Sequence, residues 1–355
     1  MKDQKGDNEK VLKSLKPSRI IYPIIIGLLV SSYLLIKQLS SGAETFSFFH
    51  WTYQAVFYFI IAIAMMVVRD LAYMYRVRVL TNGFLSWKKS FDIIMLWEFS
   101  SAISPSVVGG TAPAIYFFYK EGLNGGKSTA VVLTAIFLDE LFFIIMVPLM
   151  YLFFGWKVFP SQEGLIMSNI STYFLVGYFV IFVYTLFLAY ALFINPYTFK
   201  SFLSWIFLFP LIRRWRLNVR KSANQLITTS KELKGRSFAF WLKAFISTCL
   251  SWTGRYWVVN FLFMAFFADR LGFFENFLIY ARQLTMWIIL LVSPTPGGSG
   301  IAEIFFSDFL GDFIPNLAWA IPLALLWRLI SYYPYLFIGS IILPRWVKRV
   351  YKIKS

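Results

Sequence analysis

Residues 276–310 read NFLIYARQLTMWIILLVSPTPGGSGIAEIFFSDFL, and the fold turns on this stretch. A helix needs about 20 apolar residues to cross the roughly 30 Å hydrocarbon core of a bilayer. The apolar run here stops near residue 292, is broken by Ser293-Pro294-Thr295-Pro296-Gly297-Gly298-Ser299-Gly300, and resumes only to about Leu310. Proline withdraws a backbone donor and glycine disfavours helix, so the segment enters, breaks and turns back. A second segment behaves alike. Phe91 to Ser104 is about 14 residues, or about 21 Å of helix, and is followed by Pro105-Ser106-Val107-Val108-Gly109-Gly110 and a short piece over 111–120. Asp269, Glu275, Asp308 and Asp312 flank the later segment against a lone Arg270, whereas cations flank the earlier one on both sides. One hairpin is therefore expected to dip in from outside and the other from the cytoplasm. Short, Pro/Gly-broken apolar segments at corresponding places in two halves point to an inverted repeat with its site near the midplane. Irregular backbone at that depth survives only where protein or a wet cavity covers it.

The rest of the chain agrees with a membrane reading. Of its 355 residues, 59% are hydrophobic and 14% charged, against about 45–50% and about 25% for soluble domains. That excludes a soluble globular protein, a disordered chain and a nucleic-acid-binding module. One cysteine, Cys249, excludes a disulfide framework and a thiolate zinc site, and one histidine, His50, leaves little room for an imidazole metal cluster or a Ser-His-Asp triad. No cofactor or metal is expected. Six stretches are long and apolar enough to span, at about 20–37, 51–72, 128–154, 171–194, 238–267 and 317–343. The expected fold is an all-α polytopic membrane protein with about six transmembrane helices plus two re-entrant helical hairpins. Residues 1–19 form a basic tail without a cleavage site before the first run, which reads as an anchor. The membrane domain covers 20–343, its halves at about 20–194 and 238–343 joined by a basic segment over 195–237, and 344–355 form a second basic tail.

The net charge of +17 is explained by where the cations fall. Most of the 34 lysines and arginines lie in alternate connections: the N-terminal tail, a group from Arg69 through Arg76 and Arg78 to Lys88 and Lys89, the segment around Lys200 to Lys243, and the C-terminal tail. This is the positive-inside pattern. It puts both termini on the cytoplasmic side of the inner membrane and suits contact with anionic lipid rather than DNA. Ile212, Trp215, Val219, Ala223 and Leu226 follow helical spacing opposite Arg213, Arg214, Arg220 and Lys221, as in an interfacial amphipathic helix.

Pro294-Thr295-Pro296-Gly297-Gly298-Ser299-Gly300-Ile301-Ala302-Glu303 resembles the P-T-P-G-G-x-G-x-x-E signature of the lysylphosphatidylglycerol synthase transmembrane-region family. Pro105 to Gly110 with Ala114-Ile115-Tyr116 is similar to that family's first Gly-Gly break, and Arg328-Leu329-Ile330-Ser331-Tyr332-Tyr333-Pro334 to its last-span motif. The resemblance implies a flippase-like module without the C-terminal aminoacyl-transferase domain. Asp139 and Glu140 stand where the family carries an Asp, and the preceding Thr134-Ala135-Ile136 lacks the family's acid-base pair.

Charges at bilayer depth cost at least about 2.5–3.5 kcal/mol on insertion scales, so each one in the apolar segments needs a reason. The acids are Glu98, Asp139, Glu140 and Glu303, and the cations are Arg255, Arg282 and Arg328, read as the only cations inside the spans and hairpins. They either neutralise one another or bind an anion, since an arginine fork grips phosphate bidentately. Gly109-Gly110-Thr111 and Gly297-Gly298-Ser299-Gly300 each precede a short helix whose free N–H groups favour an anion. The headgroup site is therefore expected from Gly109, Gly110, Thr111, Arg255, Arg282, Gly297, Gly298, Ser299, Gly300, Glu303 and Arg328, with Arg282 the foremost ligand and Glu98, Asp139 and Glu140 as coupling acids. Glu121 to Ser128 ends like a phosphate-binding loop but lacks its first glycine and a preceding strand. The expected function is translocation of a phosphate-bearing phospholipid or glycolipid between leaflets. The alternative is a non-transporting partner that presents lipid to a separate synthase or glycosyltransferase. Catalysis is not expected, because no nucleophile-base pair or metal cluster is apparent.

Overall fold

The computed structural model describes residues 52–104, 110–160, 170–195, 232–291 and 301–351, with isolated positions at 197, 201, 227 and 230. The expected span over 20–37, His50, Gly109, residues 297–300 and the expected amphipathic helix lie outside the described residues. Those described are helical, with no strand among them.

Helix α1 (Tyr53–Leu80) opens on Thr52, whose Oγ1 accepts the Ala55 N–H at 3.1 Å, and ends in a turn through Asn82 and Gly83, both at positive φ. It runs past the expected end at 72, so Arg69 and Arg76 lie within a helix rather than in a loop. Helices α2 (Trp87–Ile103) and α3 (Thr111–Lys120) run antiparallel. Gly110 lies against Ser101 at one end of the pair, and Lys89 Nζ lies 3.3 Å from Glu121 Oε2 at the other. Helix α4 (Gly125–Phe154) starts on Asn124, which caps the Lys127 N–H at 2.8 Å, and a 3-10 turn over Gly155–Val158 follows it. Helix α5 (Ile170–Ala189) ends in a π-helical turn over Tyr190–Ile194.

Helix α6 (Phe238–Phe267) packs along α1, with Gly254 placed so that a Cβ would lie 3.0 Å from the Met65 carbonyl oxygen. Helices α7 (Phe273–Leu290) and α8 (Ile301–Leu310) form the second broken pair. The expected single span over 317–343 is two helices, α9 (Ala320–Ser331) and α10 (Tyr333–Tyr351), with a short 3-10 turn over Leu317–Trp319 before them. The chain breaks at Tyr332 because Pro334 has no N–H to give to the carbonyl of Ile330. The Tyr335 N–H instead bonds the Tyr332 oxygen at 3.2 Å.

The two broken pairs open at opposite ends of the bundle. At the free end of α2 and α3, Arg349 of α10 lies 3.1 Å from Asp92 and contacts Glu121, and Trp346 donates to Glu121 at 2.7 Å. Helix α4 leaves from that end and, after 30 residues or about 45 Å, reaches the free end of α7 and α8. There Phe154 meets Phe274 at 4.8 Å between ring centroids, and Arg282 bonds the Lys157 carbonyl.

Four described segments are long and apolar enough to cross a membrane: Tyr53–Leu80, Gly125–Val158, Ile170–Ile194 and Leu317–Tyr351. Val56, Phe57, Ile60, Ile63, Val67 and Leu71 on α1, and Leu175, Val176, Phe179 and Val180 on α5, stand exposed as a lipid-facing surface requires. Helix α6 has the expected bounds but is less apolar, because Ser247, Thr248, Ser251 and Asn260 face the interior. Aromatic rings join α4, α6 and α7: Phe143 stacks on Trp287 at 3.9 Å and meets Trp252 edge-on at 4.8 Å.

Candidate functional site

Spacings of four and three residues put Arg69, Tyr73 and Arg76 on one face of α1. That face points into the bundle: Arg69 is 0% exposed and Arg76 3%. Sequence reasoning missed both arginines by grouping them with the cytoplasmic cations. The signal was present, because the apolar pattern of α1 continues around them to Leu80. A buried charge survives only with partners, and each arginine has several. Arg69 Nη1 donates to Asp70 Oδ1 at 2.8 Å and to the Tyr335 hydroxyl at 2.7 Å, and that hydroxyl donates to Asp70 at 2.8 Å. Arg69 Nη2 lies 2.6 Å from Glu98 Oε1 on α2. Arg76 grips Asp139 of α4 with both terminal nitrogens, at 2.6 and 3.1 Å, and also donates to Thr248. Tyr73 lies between the two guanidinium groups, 4.7 Å from one and 4.5 Å from the other.

Helix α6 completes the cluster. Its close approach at Gly254 lets the Ser251 hydroxyl donate to the Arg69 carbonyl at 3.0 Å and Trp252 Nε1 donate to Asp139 at 2.7 Å. Arg255 reaches Glu98 Oε2 at 3.7 Å and keeps 25% of its side chain exposed. Glu98 thus bridges an arginine of α1 to an arginine of α6.

Of the residues singled out from sequence, Glu98, Asp139 and Arg255 come together here. Glu140 sits beside Asp139 but turns elsewhere, its Oε2 enclosed with no hydrogen-bond partner among the described residues. Arg328 and Glu303 form a different pair, 3.1 Å apart and almost wholly buried, with the guanidinium 4.4 Å from the Tyr332 ring centre. Arg282, in the middle of α7, belongs to a third group. Its Nε donates to the Lys157 carbonyl at 2.9 Å, and its Nη1 to the Phe309 carbonyl at 2.9 Å and to Asp312 at 2.7 Å. Those bonds tie α7 to α8 and to the turn after α4. Gly110 is buried against the Ser101 side chain, and Thr111 begins α3. The four glycine-break residues 297–300 and Gly109 lie outside the described residues. Arg255, Arg282 and Arg328 are therefore not the only cations in the helices, since Arg69 and Arg76 are more deeply buried than Arg255. Among the described residues no three His, Cys, Asp or Glu side chains converge as a metal ion requires.

Apolar helices packed around ion pairs that no soluble surface would hide define an integral membrane protein of the helical class. The model of the family described as the lysylphosphatidylglycerol synthase TM region matches residues 21–339, and the chain belongs to this family. It is 27% identical over 296 residues to a UPF0104 membrane protein of Archaeoglobus fulgidus, an alignment covering 79% of this chain and 84% of that one. No solved structure matches it.

Proposed function

We propose that the protein moves a phosphate-bearing lipid between the leaflets of the cell membrane, with both termini cytoplasmic and the two broken helix pairs re-entrant from opposite faces. One observation carries the reading: Arg255, partly exposed, shares a single carboxylate with the fully buried Arg69 at the meeting of α1 and α6. Two guanidinium groups converging on one anion offer a phosphate the same charge-assisted contacts they give Glu98. The apolar outer faces of α1 and α5 leave the acyl chains in lipid while the headgroup passes through the polar interior. Opposed broken pairs of this kind suit a site approached from either side in turn. Membership of a family named for a lipid synthase's membrane region agrees with a lipid substrate.

The test is translocation of a fluorescent phosphatidylglycerol analogue in vesicles holding the purified protein, read by an impermeant quencher. Wild-type protein is expected to move the analogue to the protected leaflet, and Arg255→Gln to lose most of that activity. Vesicles with wild-type protein that behave as protein-free ones overturn the reading. Headgroup binding without movement would favour presentation of lipid to a separate enzyme.

A further inference from the structure

The ion network around α1 is balanced: Arg69, Arg76 and Arg255 face Asp70, Glu98 and Asp139. A monoanionic phosphate added to it leaves one negative charge uncompensated in a low-dielectric interior, which is costly unless a proton accompanies it. The geometry also singles out which carboxylate yields. Asp70 keeps both Arg69 and Tyr335, and Asp139 keeps both Arg76 and Trp252. Glu98 is held by Arg69 on one oxygen and, at 3.7 Å, only loosely by Arg255 on the other. Arg69 has partners besides Glu98, since its Nη1 also bonds Asp70 and Tyr335.

We propose that the headgroup phosphate displaces Glu98 from Arg69 and Arg255, and that Glu98 takes up a proton as it leaves, so that one monoanionic headgroup enters with one proton. This rests on the lipid-phosphate reading above and adds its stoichiometry. The exchange is balanced: phosphate oxygens replace the two carboxylate contacts, and an aqueous proton converts the freed carboxylate to a neutral acid. The groups around Glu98 are Arg69, Asp70, Tyr73 and Arg76 on α1, Arg255 on α6, Tyr335 on α10 and, through Arg76, Asp139 on α4; the Tyr332 hydroxyl is taken up by the Ala102 carbonyl. The titratable residues of α3 sit at its far end, where Tyr116 contacts Tyr351 and Lys120 covers the Tyr351 ring. Arginines and tyrosines keep their charge state near neutral pH. The acids of this network able to take a proton there are Asp70, Asp139 and Glu98, and Asp70 and Asp139 keep their partners.

The experiment adds short-chain phosphatidylglycerol to the purified protein in weakly buffered detergent with a pH indicator, and measures affinity across pH. Wild-type protein should take up about one proton per lipid bound, and its affinity should fall about tenfold per pH unit as pH rises while uptake is complete. Zwitterionic short-chain phosphatidylcholine should give no uptake. Glu98→Gln, which mimics the neutral acid, should bind phosphatidylglycerol with no uptake and no pH slope. Lipid binding to wild type without proton uptake overturns the proposal, and so does uptake retained in Glu98→Gln. The wild-type measurement decides by itself if that variant does not fold. Uptake without translocation in vesicles removes transport and leaves proton-linked binding. Translocation without uptake does the reverse.

Discussion

Arg69 and Arg255 share Glu98 yet differ in what their loss should do. Arg69 is fully enclosed, and Arg69→Gln strips Asp70, Glu98 and Tyr335 of a common donor. Breaking a buried pair this way costs about 3–5 kcal/mol, so the variant is expected to unfold at markedly lower temperature in detergent. Arg255 stands partly in the open, 3.7 Å from Glu98 and with its guanidinium 5.7 Å from the Trp252 ring centre. Arg255→Gln should leave the unfolding temperature near wild type while weakening the stabilisation that anionic lipid confers. Arg282 behaves in the opposite sense. Its donors bind the Lys157 and Phe309 carbonyls and Asp312, so Arg282→Gln is expected to lower the unfolding temperature and keep the lipid-induced rise. Equal loss of that rise in both variants would show that Arg282 also touches lipid.

At the scale of elements, the helices meet where glycine removes a side chain. A Cβ on Gly339 of α10 would lie 2.6 Å from Phe99 Cδ2 and closer still to its Cβ, so α10 reaches α2 only because nothing stands there. Membrane helices associate by such close packing. Gly339→Ala is expected to cost about 1–3 kcal/mol by overpacking, measured as a drop in thermal stability. Gly254→Leu should do more, since the Met65 carbonyl that it meets is backbone and cannot step aside. It should also weaken lipid binding by parting Arg255 from Glu98. The breaks form a related pair of elements. Ser104-Pro105, Gly109-Gly110 and Phe117-Phe118 recur in order as Ser293-Pro294, Gly297-Gly298 and Phe305-Phe306. Both return helices, α3 and α8, are ten residues long.

For the whole molecule, the decisive feature is that these related elements open at opposite ends. Arg349, Asp92, Glu121 and Lys89 mark one end, and Arg282, Lys157 and Asp312 the other. With Cys249 replaced by serine, single cysteines at Lys89 and Lys157 should react with an impermeant thiol reagent from opposite faces of the membrane, Lys157→Cys from outside. Labelling of both from the same face would invert one half of the proposed topology.

The helical membrane class was legible in the sequence, and so was where α2, α3, α7 and α8 end or begin beside the Pro/Gly stretches, because both follow from local chemistry. Apolar runs of spanning length have no other solvent, and proline and glycine disfavour the continuation of a helix. The bounds of α6 and the positions of α3 and α8 were legible for the same reason. The interior was not. Whether Arg69 and Arg76 sit in a loop or a core depends on acids presented by other helices, Glu98 from α2 and Asp139 from α4. An arginine near a run's end looks the same in either case until those partners exist. The grouping of Arg255 with Arg69, and the separation of Arg282 and Arg328 from them, likewise come from how α1 and α6 meet at Gly254. Ion pairing is a long-range contact between elements, and only the tertiary structure decides which charges find each other.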